Sequence, residues 1–264
     1  MGDRAHSIIS YLRHRLVATS GGHGVHSPFV YALCENVFYS RERFYHFDEL
    51  EKVRGLLLQD KTIIHAGNFG AGSKTFRGPE RRVKDIASHG ISGRRKSERL
   101  YRLANFIGAT TCIELGTSLG VNTLYLARQN PSGKVVTIEG SSDLYDIAQK
   151  LARLRGITNI EFINGTFEAS LPSVIDSASG ITLVYIDGDH SLEGTLKYFE
   201  LLRPLACGKN VFVFDDLYWS REMTRAWNRI AADPAVTLAI DTYFEGYVFF
   251  SREIMEKVSY RIAL

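Results

Sequence analysis

From Thr111 onward the sequence predicts an α/β fold. Its core is a mostly parallel sheet of seven strands that ends in a C-terminal antiparallel hairpin, preceded by an N-terminal helical segment. Three observations predict it. Short apolar runs alternate with helical stretches after Gly108, the rhythm of parallel strands joined by helices. A strand, a glycine turn and a helix start follow one another in Thr111 to Gly120, Thr-Cys-Ile-Glu-Leu-Gly-Thr-Ser-Leu-Gly. The last two apolar runs have only Tyr243 to Gly246 between them, too short for a crossover helix, so they pair antiparallel.

The elements follow in order. Residues 1 to about 60 read as helical. Ile8, Ile9, Leu12 and Leu16 recur at helical spacing and stop at Ser20-Gly21-Gly22-His23-Gly24. Ser27-Pro28 is a cap and first helical residue, followed by an apolar face of Phe29, Val30, Leu33, Val37 and Phe38. A third helix is expected over Phe47 to Leu58. Helices with one apolar stripe need a surface to cover it, so this segment is expected to pack on the main domain or on another subunit. The expected division is a helical cap over 1–90 and a main domain over 91–264.

Between the two lies Gly67-Asn-Phe-Gly-Ala-Gly-Ser-Lys74. Its glycines resemble a phosphate loop, but it lacks the Gly-Lys-Ser/Thr ending and no clear strand precedes it, so a flexible active-site loop is expected. Ten Lys or Arg residues between Lys74 and Arg102 face three acids. Two solvated helix faces account for such a run, with an electropositive rim for an acidic substrate as the sharper alternative. Pro79 and Ser97 stand where helices would start. His23, His26, His46 and His65 match no metal-ligand spacing and read as surface or capping residues.

Strands are expected at Thr111–Leu115, Lys134–Glu139, Ile160–Asn164, Ile181–Asp187, Asn210–Asp215, Val236–Thr242 and Tyr247–Arg252. Helices are expected at about 120–129, 142–155, 191–203 and 219–231. In 264 residues, 45% hydrophobic and 23% charged, such a domain and a helical extension fit together. A net charge of +3 is too small to argue for a nucleic-acid partner. No apolar run approaches a membrane span and no signal-peptide core is present, so a cytoplasmic location is expected. Cys34, Cys112 and Cys207 fit neither a disulfide framework nor a zinc pattern, and Cys112 and Cys207 read as buried thiols.

In open α/β sheets, ligands sit beyond the C-terminal strand ends. Here those ends carry Glu114, Glu139, Asn164-Gly165-Thr166, Asp187-Gly188-Asp189-His190 and Asp215-Asp216, an acidic rim. Glu139, about 20 residues after the glycine turn, has the position of a ribose-binding acid. The turn is Glu114-x-Gly-x-x-x-Gly120 rather than Gly-x-Gly-x-x-Gly. Glu114 would repel a pyrophosphate there, and a ligand carrying an ammonium or sulfonium fits better.

On these residues the chain resembles the class I S-adenosylmethionine-dependent methyltransferases over roughly residues 95–264, with their Rossmann-like sheet. Glu114-Leu-Gly-Thr-Ser-Leu-Gly120 is similar to the family's first motif, Glu139-Gly140 to its ribose-binding acid, and Gly165-Thr166-Phe167-Glu168 to its adenine contact. More narrowly, Tyr185 to Gly194 and Val213 to Asp216 resemble the catechol-O-methyltransferase-like and cephalosporin-hydroxylase-like branches. His23-Gly-Val-His-Ser-Pro-Phe29 resembles the start of bacterial methyltransferases of this kind.

The resemblance implies S-adenosylmethionine bound by Glu114, Gly116, Thr117, Ser118, Gly120, Glu139, Gly140, Gly165, Thr166, Phe167 and Asp187. It further implies a divalent cation, Mg²⁺ by its oxygen-only ligands, on Asp187, Asp215 and Asp216. That metal would hold an acceptor hydroxyl and lower its pKa. His190 stands where one branch has lysine, and reads either as a general base beside Asp187 or as part of the next helix start with Ser191. Tyr218 or Trp219 would wall the acceptor pocket, and Trp227 would lie in the core. The implied activity is O-methylation of a small molecule, with a possible homodimer through the N-terminal helices. The alternatives are a non-catalytic cofactor-binding protein and an RNA methyltransferase using Lys74 to Arg102. The missing Asn/Asp-Pro-Pro-Tyr-type motif weighs against methylation of base amino groups.

Overall fold

The computed structural model describes residues 3–20, 26–67, 78–251, 253 and 256–264. The chain runs α1 (Asp3–Val17), α2 (Pro28–Leu33), a π-helical turn (Cys34–Phe38), α3 (Tyr45–Leu57), β1 (Ile63–His65), β2 (Glu80–Arg82), α4 (Val83–His89) and α5 (Arg94–Ile107). It continues with β3 (Thr111–Leu115), α6 (Val121–Gln129), β4 (Lys134–Glu139), α7 (Ser142–Leu154), β5 (Ile160–Asn164), α8 (Phe167–Ser177) and β6 (Thr182–Ile186). The last elements are α9 (Leu192–Leu201), β7 (Val211–Asp215), α10 (Arg221–Ala232), β8 (Leu238–Asp241), β9 (Glu245–Phe249) and β10 (Val258–Arg261).

The main sheet has the order β10-β8-β9-β7-β6-β3-β4-β5. The five strands β3 to β7 are parallel, β9 runs antiparallel to both β7 and β8, and β10 lies parallel to β8. Both faces are covered, as a parallel sheet requires. One apolar layer joins α2, α3, α5 and α6 to the sheet through Leu33, Phe47, Leu103, Tyr125 and Tyr247. The other joins α8, α9 and α10 through Leu171, Phe199, Phe214 and Trp227.

Three features differ from the sequence expectation. The main sheet has eight strands, because β10 returns beside β8 after the hairpin. Its outer edge is closed by Thr19, whose N–H donates to Arg261 O at 2.9 Å and whose carbonyl accepts from Ala263 N at 2.9 Å. An edge left open would offer unpaired backbone groups to another chain. Second, α8 fills the connection from β5 to β6, capped by Thr166 and containing Pro172, which masks its helical pattern in the sequence. Third, the N-terminal part contains the antiparallel pair β1–β2, so a strand does precede the Gly67–Lys74 stretch. Pro79 leads into β2 and not into a helix. Residues 68–77 of that loop, like His23, lie outside the described residues.

Cys34 and Cys112 are buried free thiols, whereas Cys207, expected inside, is exposed. Tyr101 donates to or accepts from buried His46 at 2.7 Å, and His65 meets Glu80 at 3.5 Å, so these histidines are tied to structure.

Candidate active site

The sheet reverses its winding between β3 and its neighbours β4 and β6, the place where open α/β sheets bind ligands. A cleft of about 420 Å³ opens there, beyond the C-terminal strand ends. Gly116, Ser118, Glu139, Gly140, Gly165, Thr166, Phe167, Asp187 and His190 line it. Of the four non-glycine residues with positive φ among the described residues, Ser118 (50°), Asp189 (46°) and Asp216 (55°) stand just beyond β3, β6 and β7. Such conformations cost energy in ordinary residues and gather where geometry serves a site.

Three expected cofactor residues lie behind this wall. Glu114 is fully buried beneath the turn and accepts hydrogen bonds from Thr123 Oγ1 and, at 2.7 Å, from Thr137 Oγ1. Burial pushes its carboxyl up to about 7, and its Oε1 has no partner. Thr117 shares a 2.5 Å hydrogen bond with Thr137, and Gly120 caps α6. The reason for each glycine changes accordingly. At Gly116 φ is 99°, and a Cβ would lie 2.2 Å from the carbonyl oxygen of Asp187. At Gly120 it would lie 2.8 Å from the Cβ of Ala148. The turn is built of glycine to let the β3 and β6 loops and α7 meet, and that closeness brings Asp187 to the cleft.

Glu139 is held at the cleft wall from both sides. Its Oε2 accepts from Ser118 N and its Oε1 from Ser141 N, each at 2.9 Å. Burial raises its pKa, and these amides work the other way. The root of the 67–78 loop is close by: Ser141 Oγ donates to His65 O at 3.3 Å, and Gly67 lines the cleft. On the opposite wall Phe167 lies over Gly188, where a Cβ would come within 2.8 Å of its ring.

The acidic residues also meet, but not alone. Lys96, from the first turn of α5, places its ammonium on Asp215 Oδ2. Tyr185 OH lies 2.8 Å from Asp215 Oδ2 and 3.1 Å from Asp187 Oδ2, its single proton shared between them. Asp215 Oδ1 accepts from Asp216 N at 2.7 Å. His190 Nε2 stands 3.7 Å from Asp187 Oδ1 and 4.0 Å from Asp216 Oδ2, and its ring lies 5.7 Å from that of Trp219. Burial opposes the Lys96 charge, yet the surrounding acids, Asp215 first, outweigh it and hold its pKa above the ordinary lysine value. Burial would raise Asp215, but Lys96 keeps it below the usual carboxylate range. Asp187, in the cleft floor and beside Asp215, is pushed well above that range.

The residues present do not fit the expected metal as arranged. Among the described residues, no group of three or more His, Cys, Asp or Glu is placed to hold a metal ion. Lys96 is the functional residue that sequence reasoning missed, because it sat in a run of cations that read as solvent-facing. Lys96, Arg99 and Arg102 in fact turn inward to carboxylates. The signal was there in Glu245, an acid inside the last hairpin that needs a counter-charge.

Ser191, not His190, caps α9, accepting from Gly194 N at 3.0 Å. His190 is thereby left facing the cleft. Tyr218 turns away, donating to Asp241 at 2.6 Å and stacking on Tyr243, while Trp227 is buried as expected. Trp219 is the aromatic beside His190.

Comparisons with known proteins bear on the fold and on the stretch that carries this cleft. Residues 113–217 match the family described as "Methyltransferase domain". The chain is 31% identical over 117 residues to a catechol O-methyltransferase of Mycobacterium tuberculosis, covering 44% of this chain and 51% of that protein. It is 35% identical over 80 residues to a transmembrane O-methyltransferase homolog of Rattus norvegicus, covering 29% of this chain and 31% of the relative. The chain thus spans about half or less of the curated relatives it matches. The O-methyltransferase of Bacillus cereus, solved in complex with SAH, superposes with a TM-score of 0.56 at 20% identity, over 80% of this chain and 94% of that one. The O-methyltransferase TomG of Streptomyces achromogenes, solved with SAM, gives 0.53 at 20% identity, over 61% and 82%. With the glycine turn and the ordered acid of β4 in place, the chain contains a stretch that matches a methyltransferase domain and shares its fold with solved O-methyltransferases.

Proposed function

We propose that the protein transfers a methyl group from S-adenosylmethionine to a hydroxyl of a small molecule. The observation that carries this reading is Glu139, fixed by two backbone amides at the edge of a 420 Å³ cleft whose other walls are the Gly116 turn and Thr166-Phe167. The residues fit the cofactor: Glu139 retains lone pairs for ribose hydroxyls, Phe167 offers a ring face for a base, and the exposed edge of Gly116 admits close backbone approach. When bound, the cofactor would supply an electrophilic methyl group. The chain's own part is alignment and proton removal. His190 takes the acceptor's proton, and Asp187 and Asp216 stabilise the resulting imidazolium. Trp219 walls the acceptor side.

Calorimetry with S-adenosylhomocysteine on wild type and Glu139→Ala tests the cofactor half. Binding by wild type and a loss of about tenfold or more in the variant are expected, and absence of binding by wild type would sink the reading. For the chemical half, His190→Ala is expected to lower kcat by about 10²–10⁴ while leaving cofactor affinity in place. An unchanged kcat would remove His190 from the mechanism.

We also propose that residues 1–90 cap the cleft, that two copies pair through α1, and that the free thiols belong to a reducing cytoplasm. No helix among the described residues is long and apolar enough to cross a membrane.

A further inference from the structure

We infer that the Lys96 ammonium is the resident cation of the Asp187–Asp215–Asp216 cluster, so that this centre takes no divalent metal ion. The inference concerns the acceptor side of the proposed methyl transfer and rests on that reading.

Mg²⁺ demands near-octahedral oxygen ligands at about 2.0–2.1 Å, so it needs carboxylate lone pairs aimed at one point. Here Asp215, the best buried of the three acids, already holds a cation, and Tyr185 OH stands between it and Asp187. Asp215 Oδ2 is shared by Lys96 Nζ and Tyr185 OH, and Asp215 Oδ1 is taken by Asp216 N. Asp187 Oδ2 shares the one Tyr185 proton with Asp215 Oδ2, and Asp187 Oδ1 stands 3.7 Å from His190 Nε2, beyond hydrogen-bond distance. Asp187 and Asp216, with side chains 26% and 43% exposed, keep free oxygens, but with Asp215 holding the ammonium they lack the third carboxylate of the implied metal set. The Lys96 side chain, by contrast, is 17% exposed and anchored by a helix whose next residue, Ser97, is fully buried. Ser97 donates to Asn122 Oδ1 at 2.7 Å and so fixes the α5 turn that aims Lys96 inward. The lysine is therefore built into the centre and is not a surface residue folded over it. With a compact cation already among the acids, the electrostatic task of neutralising them and attracting an acceptor oxyanion falls to the chain itself.

The test is Mn²⁺ binding to the full chain, followed by the loss of the free-ion electron paramagnetic resonance signal. Wild type is expected to show no site tighter than about 1 mM. Lys96→Met, which leaves the acids without their counter-charge, is expected to gain a site at least about tenfold tighter. The double variant Lys96→Met/Asp215→Asn, which removes both charges, is expected to fold and to lose that gain. Three results overturn the inference: submillimolar binding by wild type that Asp215→Asn abolishes, a folded Lys96→Met that binds no better than wild type, or a double variant that binds as tightly as Lys96→Met. The wild-type measurement decides even where Lys96→Met does not fold. S-adenosylhomocysteine calorimetry on the same wild-type protein reports the cofactor reading separately, and its failure leaves the Mn²⁺ result standing.

Discussion

Glu114 shows how a single side chain can be read correctly by type and wrongly by place. Its position before the glycine turn was evident in sequence, but its neighbours Thr123 and Thr137 come from α6 and β4, which only the folded sheet brings together. With its carboxyl raised to about 7 by burial, the folded state binds a proton there that the unfolded chain releases at lower pH. The sign follows: this contribution to stability is full below the unfolded value and is lost as pH rises through about 7. Glu114→Gln is expected to be near neutral in thermal melts at pH 5 and stabilising at pH 8, by up to about 2–3 kcal/mol. A difference between variant and wild type that does not change with pH would contradict it. Gly116→Ala tests the reassigned turn. Both the positive φ and the Asp187 carbonyl oppose a Cβ, so a loss of at least about 1–3 kcal/mol and of S-adenosylhomocysteine binding is expected.

At the scale of the element, α5 is the instructive case. Its cations were visible in sequence, and a charged run most simply faces water. The structure turns one side of the helix toward two acids of the sheet, Lys96 to Asp215 and Arg99 to Glu245, while Arg102 pairs with Glu98 one turn back on the same helix. Arg99 donates to Glu245 Oε2 at 2.6 and 3.1 Å, beside a 2.9 Å bond from Tyr247, with Glu245 fully buried. Removing one partner of such a pair strands the other charge. Arg99→Ala is expected to cost about 3–5 kcal/mol in urea unfolding, far more than an exposed arginine. A cost under about 1 kcal/mol would restore the solvated reading. The strands β3 to β5 were legible to the residue because short, largely apolar runs end there at turn residues. α8 and β10 were not, since a proline interrupts one and a half-exposed edge position dilutes the other.

For the whole molecule, the N-terminal segment divides in two. α2 and α3 enter the apolar layer on one face of the sheet. α1 docks mainly through polar groups: His6 meets Thr224 at 2.9 Å, Ser7 meets Tyr243 OH at 2.8 Å and His14 meets Asp241 O at 3.1 Å. That leaves Ile8, Leu12 and Leu16 exposed, Leu16 at 84%. A stripe of this kind on a surface helix calls for a cover, and the proposed one is α1 of a second copy. Light scattering across a dilution series is expected to show a dimer that Leu12→Glu/Leu16→Glu converts to monomer. A wild type that stays monomeric at high concentration would remove that proposal.

The sequence by itself determined the alternation of strand and helix, the closing hairpin, the glycine turn and the acids at the strand ends. These follow from local patterns, from period, from turn chemistry and from chain length between elements. Which acids would face the cleft, and with what partner, only the tertiary structure decided. Lys96 lies far from Asp215 in sequence, and its counter-charge depends on how α5 packs against the sheet. Charge compensation acts through space, and no spacing along the chain records it.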